Sequence, residues 1–193
     1  MRKHGVSLSS RERLRRQYRP RRVRILFVGE APPASGRFFY RADSGLYRAI
    51  CDTFMVAFPS LRSSRKPFLE TFRDMGCYLV DLCGKPVDRM KLPLRRRVCR
   101  DGEPRLALRL RRLRPLAVVT VVRSIGNNVR RAEAAAGWSG LHVELPYPGR
   151  WHRFRMDFRR KLIPVLRTAR KRGSATPRLA HERRTTRHLQ EVR

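Results

Sequence analysis

Apolar residues recur along this chain at two spacings: short unbroken runs, and longer stretches in which they return every third or fourth position. The unbroken runs lie at residues 23–28, 76–83, 116–122 and 141–145 and read as strands. The run LAVVTVV at 116–122 is the plainest, because a continuous β-branched segment suits a strand buried on both faces. Between the runs, Leu46, Ile50, Phe54 and Phe58 return every fourth residue and form one stripe of a helix. Asp43 or Ser44 can cap that helix, and Pro59 closes it. Pro67 suits the first turn of a second helix reaching about Met75. A third spans 101–113, with Leu106, Leu110 and Leu113 on one side and arginines on the other; Pro115 stops it. A fourth spans 124–136. The last spans 151–166, with Phe154, Phe158, Leu162 and Leu166 in register and Pro164 expected to kink or loosen its final turns. Residues 84–97, rich in Pro and Arg, read as a loop.

Strands alternating with helices predict the α/β class, as a three-layer α/β/α sandwich around a mainly parallel four-stranded sheet. The pattern alone fits a flavodoxin-like sheet or a Rossmann half as well. No G-x-G-x-x-G and no Walker A loop appears, which lowers the nucleotide-binding alternatives. The ends of the chain read differently from residues 23–167. Residues 1–22 form an Arg-rich arm, expected to be solvated, with room for a short helix from Ser9 or Ser10 that Pro20 would end. Residues 168–193 are basic and aperiodic and read as a disordered tail.

Charge changes the picture more than length does. The chain of 193 residues carries 47 Lys and Arg against 15 Asp and Glu, a formal net charge of +32. All but six of the basic residues are Arg, so a preference for arginine codons explains part of the excess. The consequence stands whatever its origin: such a field favours a polyanionic partner, most simply nucleic acid, with strong salt dependence. No stretch approaches the ~20 apolar residues that span a bilayer, and no apolar segment follows the basic start. The expectation is a cytoplasmic monomer with no membrane partner. Four cysteines, Cys51, Cys77, Cys83 and Cys99, then read as thiols or metal ligands sooner than disulfides.

Residues 24–40, RILFVGEAPPASGRFFY, join the first strand to the first helix. The run 25–28 stops at Gly29-Glu30-Ala31-Pro32-Pro33, which is a strand feeding a tight loop. Ligands of open α/β sheets bind in the crevice beyond the carboxyl ends of the strands. Glu30 sits there, either as the working group of a site or as a cap for a following helix. Gly29-Glu30-Ala31-Pro32, followed by Gly36-Arg37-Phe38-Phe39 and then a helix, resembles the first motif of the uracil-DNA glycosylase superfamily. The likeness is closest to the family 4 type, whose loop reads GEAPG or GEGPG and continues G-R-P-F-V-G. Later segments follow in the same order over residues 23–166, and the four-stranded sandwich matches that superfamily's fold.

The resemblance implies a monofunctional, metal-independent enzyme that flips uracil or a related damaged base from DNA and hydrolyses its N-glycosidic bond. Glu30 takes the carboxylate role, stabilising the sugar cation or orienting water. Ala31 and Pro32 continue the pocket wall, and Phe39 stacks on the base. Pro33, Phe38 and Tyr40 depart from the family's Gly, Pro and Val. The family's base-reading Asn falls at Asp81, and an ionised Asp only accepts hydrogen bonds, which bears on base identity. The last motif, H-P-S in the family, corresponds to 145–153, LPYPGRWHR. Tyr147 stands where the His donor is expected; losing such a donor costs about 2.7–4 kcal/mol. His152 is near that position at another offset. Arg150, Trp151, His152 and Arg153 suit phosphate contact and stacking or wedge insertion. Cys83 and Cys99 have the spacing of the second cysteine pair of the family 4 iron–sulfur cluster. The first pair is missing, since residues 1–22 hold no cysteine, so no cofactor is expected and the cluster is the minor alternative. Two rival readings are a nucleic-acid-binding module with a decayed site, and a nucleoside or nucleotide hydrolase on a similar sheet.

Overall fold

The computed structural model describes residues 10–149 and 151–174. Its sheet has four strands, all parallel: β1 (Ile25–Gly29), β2 (Cys77–Asp81), β3 (Ala117–Thr120) and β4 (Leu141–Glu144), in the order β2-β1-β3-β4. Every residue of β1, β2 and β3 is buried, as continuous apolar runs require. β4 stands at an edge and is partly exposed. Register puts Val28 level with Val80 and Thr120, so β1, β2 and β3 end together.

The helices are α1 (Ser10–Gln17), α2 (Gly45–Ala57), α3 (Phe68–Asp74), α4 (Leu92–Leu113), α5 (Gly126–Ala136) and α6 (His152–Ser174). Helix α2 packs on α6, and α4 on α5, giving a helical layer on each side of the sheet. The expected three-layer α/β/α fold is what the chain adopts. The first layer rests on an aromatic cluster. Phe27 of β1 meets Phe72 of α3 at 5.3 Å between ring centroids, and Phe54 of α2 meets Phe72 at 5.9 Å and Phe68 at 5.1 Å. The fourfold stripe of α2 is the cause: Ile50, Phe54 and Phe58 are buried, and Leu46 packs against the same core. Ser44 caps α2, its hydroxyl accepting from Tyr47 N at 3.1 Å. Asp43, the other candidate cap, accepts from Phe38 N at 2.7 Å instead.

Three expectations need correction. The loop expected at 84–97 ends early, because α4 starts at Leu92 rather than at 101. Pro93 occupies its first turn, where a missing N–H costs nothing, and Pro104 is carried inside it. The basic tail does not begin at 168. Helix α6 runs through Pro164 to Ser174, with Ala169 buried and the Arg170 guanidinium 4.9 Å from the Phe58 ring centroid. The rest of the tail, 175–193, lies outside the described residues. The third correction concerns the arm. Residues 10–18 are docked: Leu14 and Tyr18 pack on the core, Tyr18 stacks on Tyr40 at 5.6 Å, and Arg15 is buried.

Candidate active site at the carboxyl edge of the sheet

The chain passes from β1 to β2 on one side and then to β3 on the other. The carboxyl ends of β1 and β3 therefore flank the point where strand order reverses, the usual ligand crevice of such sheets. Glu30 leaves β1 at that point. Its backbone stays tied to the neighbouring strand: Leu82 N donates to Gly29 O and Cys83 N to Glu30 O, each at 2.8 Å. Asp88 ties the following loop down by accepting from Ala34 N at 3.2 Å. Ala31 is half-buried and Pro32 buried in this loop.

The Glu30 side chain is not free. Arg95, in the first turn of α4, grips both its oxygens, with Nε 2.6 Å from Oε1 and Nη2 on Oε2. This two-point geometry is the strong form of a guanidinium–carboxylate pair. The bond to Glu30 holds the Arg95 guanidinium above its ordinary pKa. The Cys99 thiol, one turn further along α4, lies 3.8 Å from Glu30 Oε1, and its sulfur is 3.6 Å from that of Cys83. Burial pushes the Cys83 thiol up to about 12, and the neighbouring Cys99 adds to the effect. Burial likewise raises Cys99. Of the two thiols, Cys99 lies against the carboxylate, and Cys83 lies against Cys99 and the Val98 carbonyl.

Asp81 ends β2, two residues before the expected end of the run, and the arm covers it. Arg15 Nη2 lies 2.6 Å from Asp81 Oδ2, and Arg15 Nη1 lies 2.5 Å from Glu12 Oε2. From α4, Arg109 donates to the Asp81 carbonyl at 3.2 Å and Arg105 to the Leu82 carbonyl at 2.8 Å. Burial lifts the Asp81 carboxyl above its usual range, while Arg15, Arg109, Arg105 and Arg11 pull it the other way.

Phe39 departs furthest from expectation. It is 3% exposed, edge-on to Tyr40 at 5.1 Å and tilted on Phe72 at 5.1 Å. In this arrangement it belongs to the core and presents no open face to a base. The cause is its neighbour. Tyr40 reaches β2, an edge strand, where its hydroxyl donates to Leu79 O at 3.0 Å and accepts from Leu79 N at 2.7 Å. The 3-10 turn Phe39–Arg41 thus covers a sheet edge. Burial raises the Tyr40 phenol well above its ordinary value.

The open surface lies beyond β3 and β4. Pro146, Tyr147, Gly149, Trp151 and Phe154 line a cleft of about 470 Å³ with Val122, Arg123 and Ser124. Tyr147 is 50% exposed and Trp151 66%. His152 opens α6 and is exposed, and the Arg153 guanidinium lies 4.9 Å from the Phe154 ring centroid. Arg150 lies outside the described residues. On β4, His142 bridges Thr120 Oγ1 at 2.8 Å and Glu133 Oε2 at 3.0 Å. Thr120 is wholly buried, so this row offers no nucleophile to a substrate; it pairs Glu133 Oε2 but leaves Glu133 Oε1 buried without a partner.

Among the described residues no group of three or more His, Cys, Asp or Glu could hold a metal ion. Cys77 begins β2 while Cys83 follows its end, so a four-thiolate cluster does not fit: only Cys83 and Cys99 come together. Arg15, Arg95, Arg105 and Arg109 are the site residues that reading the sequence missed. The signal was spacing, with Arg105 and Arg109 one turn apart on α4. Arg95 stands one turn before Cys99, but there the sequence carries no such signal, because its pattern puts 84–97 in a loop and starts the helix at 101. No family model matches the sequence, and no curated protein matches it either.

Proposed function

We propose that the protein binds DNA with the carboxyl edge of its sheet and hydrolyses the N-glycosidic bond of a nucleotide flipped into that edge, releasing uracil or a related damaged base. The observation that carries this reading is Glu30, a carboxylate set at the strand-order reversal and held in place by Arg95. An ionised carboxylate there faces the positive charge that develops on the sugar as the base departs. Arg95 is a third exposed, so a DNA phosphate competes for its guanidinium and uncovers Glu30 as the strand arrives. Tyr147 and Trp151 supply aromatic surface for unstacked bases, and the arginine excess supplies backbone attraction.

A second reading, a nucleic-acid-binding module without turnover, is favoured by two placements: Phe39 in the core and Arg15 over Asp81. One experiment separates the two. Excess protein is mixed at low salt with labelled single-stranded or duplex DNA carrying one uracil, and abasic sites are cleaved with alkali. The expected outcome is cleavage at uracil by wild type, reduced at least about 10²-fold in Glu30→Gln. Binding without cleavage for uracil and other damaged bases rejects excision and leaves the binding module.

A further inference from the structure

The arginines over the end of β2 outnumber the acids among them. From α1 and the residue pair beyond it come Arg11, Arg15 and Arg19, spaced one turn apart. From α4 come Arg105 and Arg109, at the same spacing. Among the described residues two carboxylates face them, Glu12 and Asp81. Arg15 uses both, and its Nε is buried with no hydrogen-bond partner. Arg105 and Arg109 have no carboxylate partner among the described residues; each spends one nitrogen on a backbone carbonyl. They are also close to like charge. Burial lowers the Arg109 guanidinium below its ordinary pKa, and Arg105 and Arg15 lower it further. Arg11 adds to the charge that favours an ionised Asp81, and Arg19 to that acting on Tyr78. Among the described residues the buried Arg15 Nε lacks a partner, and the half-buried Arg109, although Glu12 acts on it favourably, has no carboxylate bonded to it; such cations call for an anion or full hydrogen bonding.

We propose that the seam between α1 and α4 over the end of β2 is a binding site for a phosphate-type oxyanion, gripped by Arg105 and Arg109 with the α1 arginines around it. Guanidinium groups fit phosphate oxygens in two-point contacts. Arg105 is exposed and Arg109 half-buried, so an anion reaches them from solvent while Arg15 stays on Asp81. The anion neutralises the repulsion across the seam and thereby fastens α1 to the domain. The site does not depend on excision at Glu30 and goes beyond that reading.

The test uses the full-length protein at constant ionic strength, with two probes: inorganic phosphate and a single-stranded oligonucleotide without uracil. Calorimetry measures affinity, and hydrogen exchange follows the amides of residues 10–17. The expected result is that a probe slows exchange in 10–17. In Arg105→Gln/Arg109→Gln the slowing disappears and affinity falls about tenfold or more. Arg48→Gln, an exposed change on α2, leaves both as in wild type. Slowing by phosphate alone assigns a small anion, and slowing only by the oligonucleotide assigns a phosphodiester backbone; both support the site. Binding with no change in 10–17, or equal losses in the double variant and Arg48→Gln, overturns it. The wild-type exchange measurement decides by itself if the double variant does not fold. Excision of uracil with no protection of α1 keeps the proposed function and rejects this site, and the converse result does the opposite.

Discussion

Arg15 and Asp81 form a contact between residues 66 positions apart, both nearly out of solvent. A buried pair is strong evidence of fixed geometry and weak evidence of net stability, because desolvating two charges offsets their attraction. The asymmetry makes a prediction. Arg15→Met leaves the Asp81 carboxylate buried without its main partner and is expected to cost about 3–5 kcal/mol. Combining it with Asp81→Leu removes both charges and restores most of that loss, since apolar replacement of a whole pair is often neutral. Urea unfolding of both single variants and the pair checks this. Equal costs for the double variant and the sum of the singles would show that the two residues do not act on each other. Residue identity at such positions was visible in the sequence, but pairing was not. Glu30 was marked by its place after a strand, and Asp81 by the family resemblance. Their arginine partners come from α1 and α4, and local pattern carries no information about which of 41 arginines turns inward.

At the scale of elements the pattern was most legible where burial is continuous. β2 and β3 lie inside the segments their apolar runs marked, β1 passes the end of its run by one residue, Gly29, and α2 keeps its stripe and its Ser44 cap. The differences share one physical origin: in the Pro- and Arg-rich stretch 84–97 and in the basic stretch after 167, packing carries helix further than local composition predicts. Helix α4 begins with Leu92 and Pro93 and contains both Gly102 and Pro104, each unfavourable by intrinsic propensity. Gly102 shows what compensates. A Cβ added there would stand 2.5 Å from the Leu82 carbonyl oxygen, so the missing side chain is what lets α4 lie directly on the end of β2. That close approach brings Arg105 and Arg109 onto the carbonyls of Leu82 and Asp81. Gly102→Ala gains helix propensity of about 1 kcal/mol but must push backbone away from backbone. The expected net effect is destabilisation by about 1–3 kcal/mol, measured by urea unfolding, instead of the stabilisation an exposed Gly→Ala change in a helix gives. A parallel readout is weaker protection of the Leu82 and Cys83 amides in hydrogen exchange.

For the whole molecule the question is how the positive charge is spent. Among the described residues, Glu12, Glu30, Asp74, Asp81, Glu103, Glu144 and Asp157 are each already held by Arg or Lys, and 47 basic residues against 15 acidic ones leave a large positive excess. Nucleic-acid binding through such a surface should divide cleanly into two terms. Phosphate contacts release counterions, so they set the slope of log affinity against log salt, about −0.7 per phosphate on a single strand. Stacking releases none, so it sets affinity at fixed salt and leaves the slope alone. Trp151 and Arg153 lie two positions apart at the start of α6 and allow the division to be tested at one place. Trp151→Ala is expected to weaken single-strand binding by about 1–3 kcal/mol with the slope unchanged. Arg153→Gln is expected to reduce the slope by about 0.7 with a smaller loss at high salt, where its contribution is screened. Fluorescence anisotropy of a labelled oligonucleotide across a salt series measures both. If Trp151→Ala also flattens the slope, the exposed indole acts by positioning the basic loop and not by stacking on a base. The cleft it forms with Tyr147 would then be a scaffold for phosphate contacts, which would leave excision at Glu30 without an aromatic surface to receive the unstacked bases.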